Sequence, residues 1–185
     1  MISKVAFIGT HGVGKTTLCY GLAARLKARD VSLEVVGEVA RRCPLPINRE
    51  TTLAAQSWIL HTQIAEEILA ASRHDMVICD RSVLDNYVYM LLALGRQKPL
   101  EQLIVHWTAT YDLLVHVPIV REPRPDGMRS TDPSFQRAVE ERLMAELRER
   151  RLACLGLGDL DRGAWLEYVE EHVWSQLEPR QLELL

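Results

Sequence analysis

Val5-Ala6-Phe7-Ile8-Gly9-Thr10-His11-Gly12-Val13-Gly14-Lys15-Thr16 runs from a short apolar stretch through a glycine-rich turn to a lysine–threonine pair. The continuous apolar run reads as a strand buried on both faces. Gly9 to Thr16 fits G-x-x-x-x-G-K-[ST], with a strand before it and a helix after it, the context this motif requires. Gly9, Gly12 and Gly14 let backbone N–H groups turn inward around phosphate oxygens, and the helix behind them adds its positive N-terminal end. Lys15 is placed to reach β- and γ-phosphates, and the Thr16 hydroxyl to ligate Mg²⁺. With Val13 and Thr17 these residues form the expected nucleotide cradle.

Working outward, Lys15 to Arg29 carries Leu18, Leu22, Ala23 and Leu26 at helical spacing. Leu33 to Gly37 reads as a second strand. Arg41 to Ile47 contains Pro44 and Pro46 and is expected to be an exposed loop. Thr51 is the expected N-cap of a long helix reaching about Ser72. Met76 to Cys79 is a third strand and Leu113 to Val117 a fourth, with a helix or helix pair from Ser82 to about Thr108 broken near Gly95 and Pro99. Leu152 to Leu155 is a weaker fifth strand, and a last helix runs from about Gly163 to Leu177. Strands alternating with helices predict an α/β three-layer sandwich around a five-stranded parallel sheet. Such sheets bind ligands at the carboxyl ends of their strands.

Composition bounds the rest. A chain of 185 residues is expected to be one domain, 1–185, able to bury a core without disulfides or metal staples. Hydrophobic residues at 48% and charged residues at 25% argue against disorder. Net charge is −3, so the chain as a whole offers no broadly basic surface, and nucleic acid is an unlikely partner. Cys19, Cys43, Cys79 and Cys154 have no metal-ligand spacing and read as reduced thiols. The N-terminal apolar run is too short for a signal-peptide core, and no stretch has the length of a membrane span. The expectation is a cytoplasmic protein with no membrane partner; oligomeric state is not legible.

A second constellation is Val77-Ile78-Cys79-Asp80-Arg81-Ser82. An acid at the end of a strand beside the phosphate loop is where an Mg²⁺-coordinating carboxylate sits. Its neighbour Arg81 is suited to neutralise charge on a transferred phosphoryl group. Ser82 and Asp85 have capping-box spacing, so Asp85 reads as a helix-start residue rather than a catalyst. Glu38, closing the second strand, has two readings: a base for a substrate hydroxyl, or an ion-pair partner of Arg41 or Arg42. Those two arginines read equally as binders of an anionic substrate or as loop charges. Pro118 to Pro133 forms a long loop carrying Arg121, Arg124 and Arg129, read either as a lid over nucleotide or as a solvated charged loop. Arg129 is the favoured lid residue because Asp126-Gly127 supplies a turn that aims it inward.

With these residues in place, the chain resembles the nucleoside and nucleotide kinases of the P-loop class. More narrowly, Gly37-Glu38-Val39-Ala40-Arg41, Asp80-Arg81-Ser82-Val83-Leu84-Asp85, Tyr111-Asp112 and Asp126-Gly127-Met128-Arg129 are similar to the nicotinamide-riboside-kinase-like ATPase family. The resemblance implies ATP and Mg²⁺ as cofactors and a small nucleoside-like substrate. It implies catalytic roles for Lys15, Glu38, Asp80, Arg81 and Arg129, with Arg124 joining the nucleotide cradle and Thr16 and Asp80 serving the metal. Over its 185 residues the chain is not expected to carry the adenylyltransferase domain of bifunctional members. The resemblance also implies an adenine loop at Gly156-Leu157-Gly158-Asp159, on position alone.

Other features are weaker. Gln56, Trp58 and Gln63 are placed to read a base, although Trp58 fits the core as well. His61, His74, His106, His116 and His172 share no ligand spacing. Three functions compete: a kinase phosphorylating a small-molecule hydroxyl, a nucleotide-binding switch with slow hydrolysis, and a polynucleotide 5′-kinase. The absence of [NT]-K-x-D counts against a guanine-nucleotide switch.

Overall fold

The computed structural model describes residues 4–47, 50–120 and 132–177. Five strands, β1 (Lys4–Ile8), β2 (Leu33–Val36), β3 (Met76–Asp80), β4 (Leu113–His116) and β5 (Leu155–Gly156), form a parallel sheet ordered β2-β3-β1-β4-β5. β1 and β3 are buried at every position, as their unbroken apolar runs require in a sheet covered on both faces.

The pleat sends alternate residues of β1 to opposite layers. Val5 and Phe7 pack with Leu18, Leu22 and Leu26 of α1 (Lys15–Lys27) and with Trp165, Val169 and Val173 of α6 (Trp165–Leu177). Ala6 and Ile8 face the other layer. There Leu60 of α2 (Leu53–Ala71), Leu84 and Tyr87 of α3 (Val83–Leu94), Ile104 of α4 (Lys98–Thr108) and Leu143 of α5 (Pro133–Glu149) complete a second core. No described helix is long and apolar enough to cross a membrane.

The expected α/β sandwich and parallel sheet are present, with local differences. α2 is capped by Thr52, whose side chain accepts from the Ala55 N–H, rather than by Thr51. Arg41 and Arg42 lie in a short 3₁₀ turn, Val39–Arg42, that ends before the prolines. The last strand is shifted from Leu152–Leu155 to Leu155–Gly156. Arg151, at φ 55°, turns the chain out of α5, and the next three residues carry it to the sheet. α5 itself is not among the elements expected from sequence. Asp132 caps it, Pro133 occupies its first turn, and Val139, Leu143 and Leu147 bury one stripe at helical spacing.

Register then assembles the site. Phe7 lies beside Asp80 on β3 and Ile8 beside His116 on β4. The carboxyl ends of β1, β3 and β4 thus open at the same edge, where the glycine-rich turn begins.

Candidate active site

Gly9 leaves β1 at φ +139°, and a β-carbon there would come within 2.5 Å of the Val117 carbonyl oxygen, so only glycine fits. Its N–H donates to Asp85 Oδ1 at 2.9 Å. Val13 is buried in the α1 layer and pins the turn from beneath. Gly14, at φ +107°, delivers the chain into α1, where Lys15 is buried and Thr16 and Thr17 lie exposed in the first turn.

The Lys15 ammonium donates to the carbonyls of Gly9 at 2.9 Å and Thr10 at 2.5 Å, folding back across the loop. Burial, and then repulsion by Arg81, lower its pKa to about 8, against the opposing pull of Asp85, Asp80 and Glu38. The Thr16 hydroxyl donates to Asp80 Oδ2 at 2.5 Å. This joins the two expected metal ligands across the gap between β1 and β3. Their donors are a hydroxyl and a carboxylate oxygen, the hard ligands that suit Mg²⁺ when phosphates and water supply the rest. No cluster of three His, Cys, Asp or Glu side chains able to hold a metal occurs among the described residues.

Arg81 holds an unusual backbone, φ +110° for a non-glycine residue, and its side chain is only 4% exposed. Its Nε donates to Glu38 Oε1 at 2.8 Å. Its Nη2 reaches the Tyr89 hydroxyl at 3.4 Å, and its Cζ lies 5.0 Å from that ring's centre. Nη1 is buried with no hydrogen-bond partner, 4.0 Å from Asp85 Oδ1. Burial works against the charge of this guanidinium, but Tyr89, Glu38, Asp85 and Asp80 together outweigh it and hold the group protonated. Glu38 Oε2 also accepts from Arg41 Nε at 2.9 Å. The ion-pair reading of Glu38 therefore holds for Arg41. Arg42 turns away to Glu66, at 2.6 Å.

Ser82 and Asp85 form the expected capping box at the start of α3. The link from Asp85 to Gly9 is not visible in the spacing. Neither is Tyr89, whose hydroxyl lies 3.2 Å from His11 Nδ1 as well as near Arg81. Its only sequence signal is a position four residues after Asp85, on the same helical face. Gln136 donates to the His11 carbonyl at 2.9 Å and so steadies the loop from α5, the helix that sequence did not lead us to expect.

Several candidates lie apart. Gln56 donates to Thr51 Oγ1 and Gln63 to Glu67, both buried, while Trp58 is half-buried. His61 and His172 have local partners in Ser57 and Gln176, while His116, at the end of β4 beside Ile8, pairs with Glu140 of α5. In the expected adenine loop, Gly156 belongs to β5 and Leu157 is fully buried. Arg121, Arg124 and Arg129 lie outside the described residues.

The family model whose description is "AAA domain" matches residues 4–162, from the first residue of β1 to the turn before α6. The chain belongs to the AAA domain family. No curated protein sequence matches this AAA domain.

Among solved structures it is similar to NadR in complex with NR, at 23% identity and a TM-score of 0.71 over 91% of this chain. The chain spans about half the length of NadR, 51%. Deoxyadenosine kinase from M. mycoides with bound dATP shares 14% identity with a TM-score of 0.66, covering 92% of this chain and 98% of that one. Thymidylate kinase from Ehrlichia chaffeensis shares 18% at 0.63, covering 96% and 98%. This AAA domain thus has the fold of the P-loop nucleoside and nucleotide kinases, the resemblance its residues carry.

Proposed function

We propose that the chain is an ATP-dependent kinase that transfers the γ-phosphoryl group to a hydroxyl of a nucleoside-like small molecule. The observation that carries this reading is the Glu38–Arg81 contact at 2.8 Å, next to the Thr16–Asp80 pair. A module that only binds nucleotide needs the phosphate cradle and the metal ligands. It has no need of a buried carboxylate beside them at the carboxyl end of β2.

In this reading the turn Gly9–Thr16 holds the triphosphate by backbone N–H groups, and Lys15 leaves the Gly9 and Thr10 carbonyls for the β- and γ-phosphates. Thr16 and Asp80 would hold Mg²⁺, which supplies neutralisation of phosphate charge when bound. Glu38 accepts the proton of the acceptor hydroxyl as its oxygen bonds to the γ-phosphorus. The bond from that phosphorus to the β–γ bridging oxygen breaks, and ADP leaves. Arg81, already charged and desolvated, stabilises the equatorial oxygens during transfer. The nucleoside-like acceptor is supported by two proteins of similar fold, NadR in complex with NR and a deoxyadenosine kinase with bound dATP.

The reading takes the chain as a single kinase-like domain with a lid at about 118–133 that brings Arg124 to the nucleotide and Arg129 to the transition state. It places the enzyme in the cytoplasm, with neither membrane nor nucleic acid as partner. A nucleotide-binding switch is the competing reading, favoured by the two guanidiniums that already engage Glu38. An assay of ADP release with nucleosides, nucleotides and oligonucleotides separates the readings. Stimulation by a nucleoside-like acceptor is the expected result. Release unchanged by every acceptor favours the switch, and stimulation by oligonucleotides alone favours the polynucleotide kinase.

A further inference from the structure

Arg162 opens the 3₁₀ turn Arg162–Ala164 that connects β5 to α6. A β-carbon at Gly14 would lie 3.1 Å from its Nη2, so the guanidinium fills the space beside the last glycine of the phosphate loop. The arginine is exposed, yet its guanidinium lies over the ring of the buried Trp165, 5.9 Å from its centre. Trp165 is itself fixed by its Nε1–H, which donates to the Leu160 carbonyl at 3.2 Å.

No carboxylate answers this charge among the described residues. Asp161 next door caps the turn and accepts from the Gly163 N–H. The first turn of α1 contains no acidic residue. Arg162 and the positive end of α1 therefore meet at Gly14, with no carboxylate paired to Arg162 among the described residues. Such an arrangement favours an anion beside Gly14.

Sheet order decides which part of the ligand that anion belongs to. Glu38, Asp80 and Arg81 come after β2 and β3, on one side of β1, whereas Arg162 comes after β5, on the other. Arg162 flanks the loop away from the side where the acceptor and the transferred group lie. We infer that Arg162 is a nucleotide-binding residue that pairs with a phosphate of the donor other than the one transferred. This rests on the kinase reading above for the identity of the donor.

The test is calorimetric affinity for MgATP and MgADP in the parent, Arg162→Ala and Arg162→Lys, with a matching thermal midpoint as the check on folding. Loss of one charge-assisted phosphate contact predicts about tenfold weaker binding in Arg162→Ala. The loss should be equal for MgATP and MgADP, and Arg162→Lys should recover most of it. The ratio of MgATP to MgGTP affinity should not change. Unchanged affinity in Arg162→Ala overturns the inference, leaving a solvated cation stacked on Trp165. A loss confined to MgATP also overturns it, because the contact would then be with the transferred group. So does an altered MgATP to MgGTP ratio without rescue by lysine, which is the mark of a base-stacking group. If the parent binds neither nucleotide, the kinase reading fails and this inference with it. If the parent binds both, only the role of Arg162 is at stake.

Discussion

Between the sheet and α2, Glu67 is fully buried and surrounded by donors, whereas at the carboxyl edge Arg81 is almost as deeply buried and left partly unmatched. Glu67 accepts from Lys4 Nζ at 3.1 Å and Trp107 Nε1 at 2.7 Å on one oxygen. Its other oxygen accepts from Gln63 Nε2 at 2.8 Å and the Tyr111 hydroxyl at 2.7 Å. Lys4 is further covered by the faces of Trp107 and Tyr111. Arg81 has an orphaned Nη1 and a backbone at positive φ. A satisfied buried charge is a device for holding elements together, and an unsatisfied one on strained backbone marks a place where a ligand completes the set. Both are buried ion pairs, but only the second faces the phosphate loop.

The largest effects should divide these two regions cleanly. Glu67→Ala leaves Lys4 buried without its carboxylate, which costs about 3–5 kcal/mol of stability, a large part of the roughly 5–15 kcal/mol typical of a domain. Chemical denaturation measures it, with MgATP affinity of the folded fraction staying within a few-fold. A loss under about 1 kcal/mol would place this pair among weak surface-like contacts. Glu38→Gln should show the reverse pattern, with acceptor phosphorylation reduced about 10²- to 10⁴-fold, on the order of 3–5 kcal/mol of barrier. Nucleotide affinity should be nearly parental. Phosphorylation at the parental rate would leave Glu38 as no more than the partner of Arg41 and Arg81.

A smaller effect is expected at the proposed metal ligands, Thr16 and Asp80. Asp80→Asn keeps the shape of the Thr16 contact but removes the carboxylate charge. The Mg²⁺ concentration needed for half-maximal turnover should rise about 10- to 100-fold, with the circular dichroism spectrum unchanged. A superimposable Mg²⁺ titration removes Asp80 from the metal site.

The smallest effect is in pH. Lys15 has a folded-state pKa near 8, below its ordinary value of 10.5, so the unfolded chain holds more protons between those values. This group therefore adds stability to the nucleotide-free protein as pH rises from about 8 to about 10.5, and adds nothing below that window. Phosphate binding needs the protonated amine, so MgATP affinity should fall about tenfold between pH 7 and pH 9. Calorimetry across that range checks it, and a flat profile would mean that Lys15 stays charged when buried.

The boundary between what the sequence discloses and what it hides tracks contact range. β1, the glycine turn and α1 are readable because apolar continuity, glycine spacing and helical period are local. Asp80 and Glu38 are readable as acids ending strands. The contact between Glu38 and Arg81 spans 43 positions, and no pattern within either segment announces it. Arg162 is further out, brought to Gly14 only by the return of the chain through β5. α5 is a different kind of omission. The spacing of Val139, Leu143 and Leu147 is legible in itself, but the proline-rich loop before it masks where a helix begins. β5 shows a third kind: of the run Leu152–Leu155 only Leu155 enters the sheet, and Gly156 beyond the run completes the strand.

Asp85 has a mechanical consequence. One oxygen accepts from the Ser82 backbone and hydroxyl, closing the start of α3, while the other holds the Gly9 amide. The carboxylate therefore acts as a rivet through two plates, and neither can shift without dragging the other. Gly9 is also wedged beneath the Val117 carbonyl, so the root of the turn is clamped from two directions. On the kinase reading, a rearrangement that admits a triphosphate pivots beyond that root, within Thr10–Gly14 and the swing of Lys15. The strands and α3 stay as the fixed frame of the hinge.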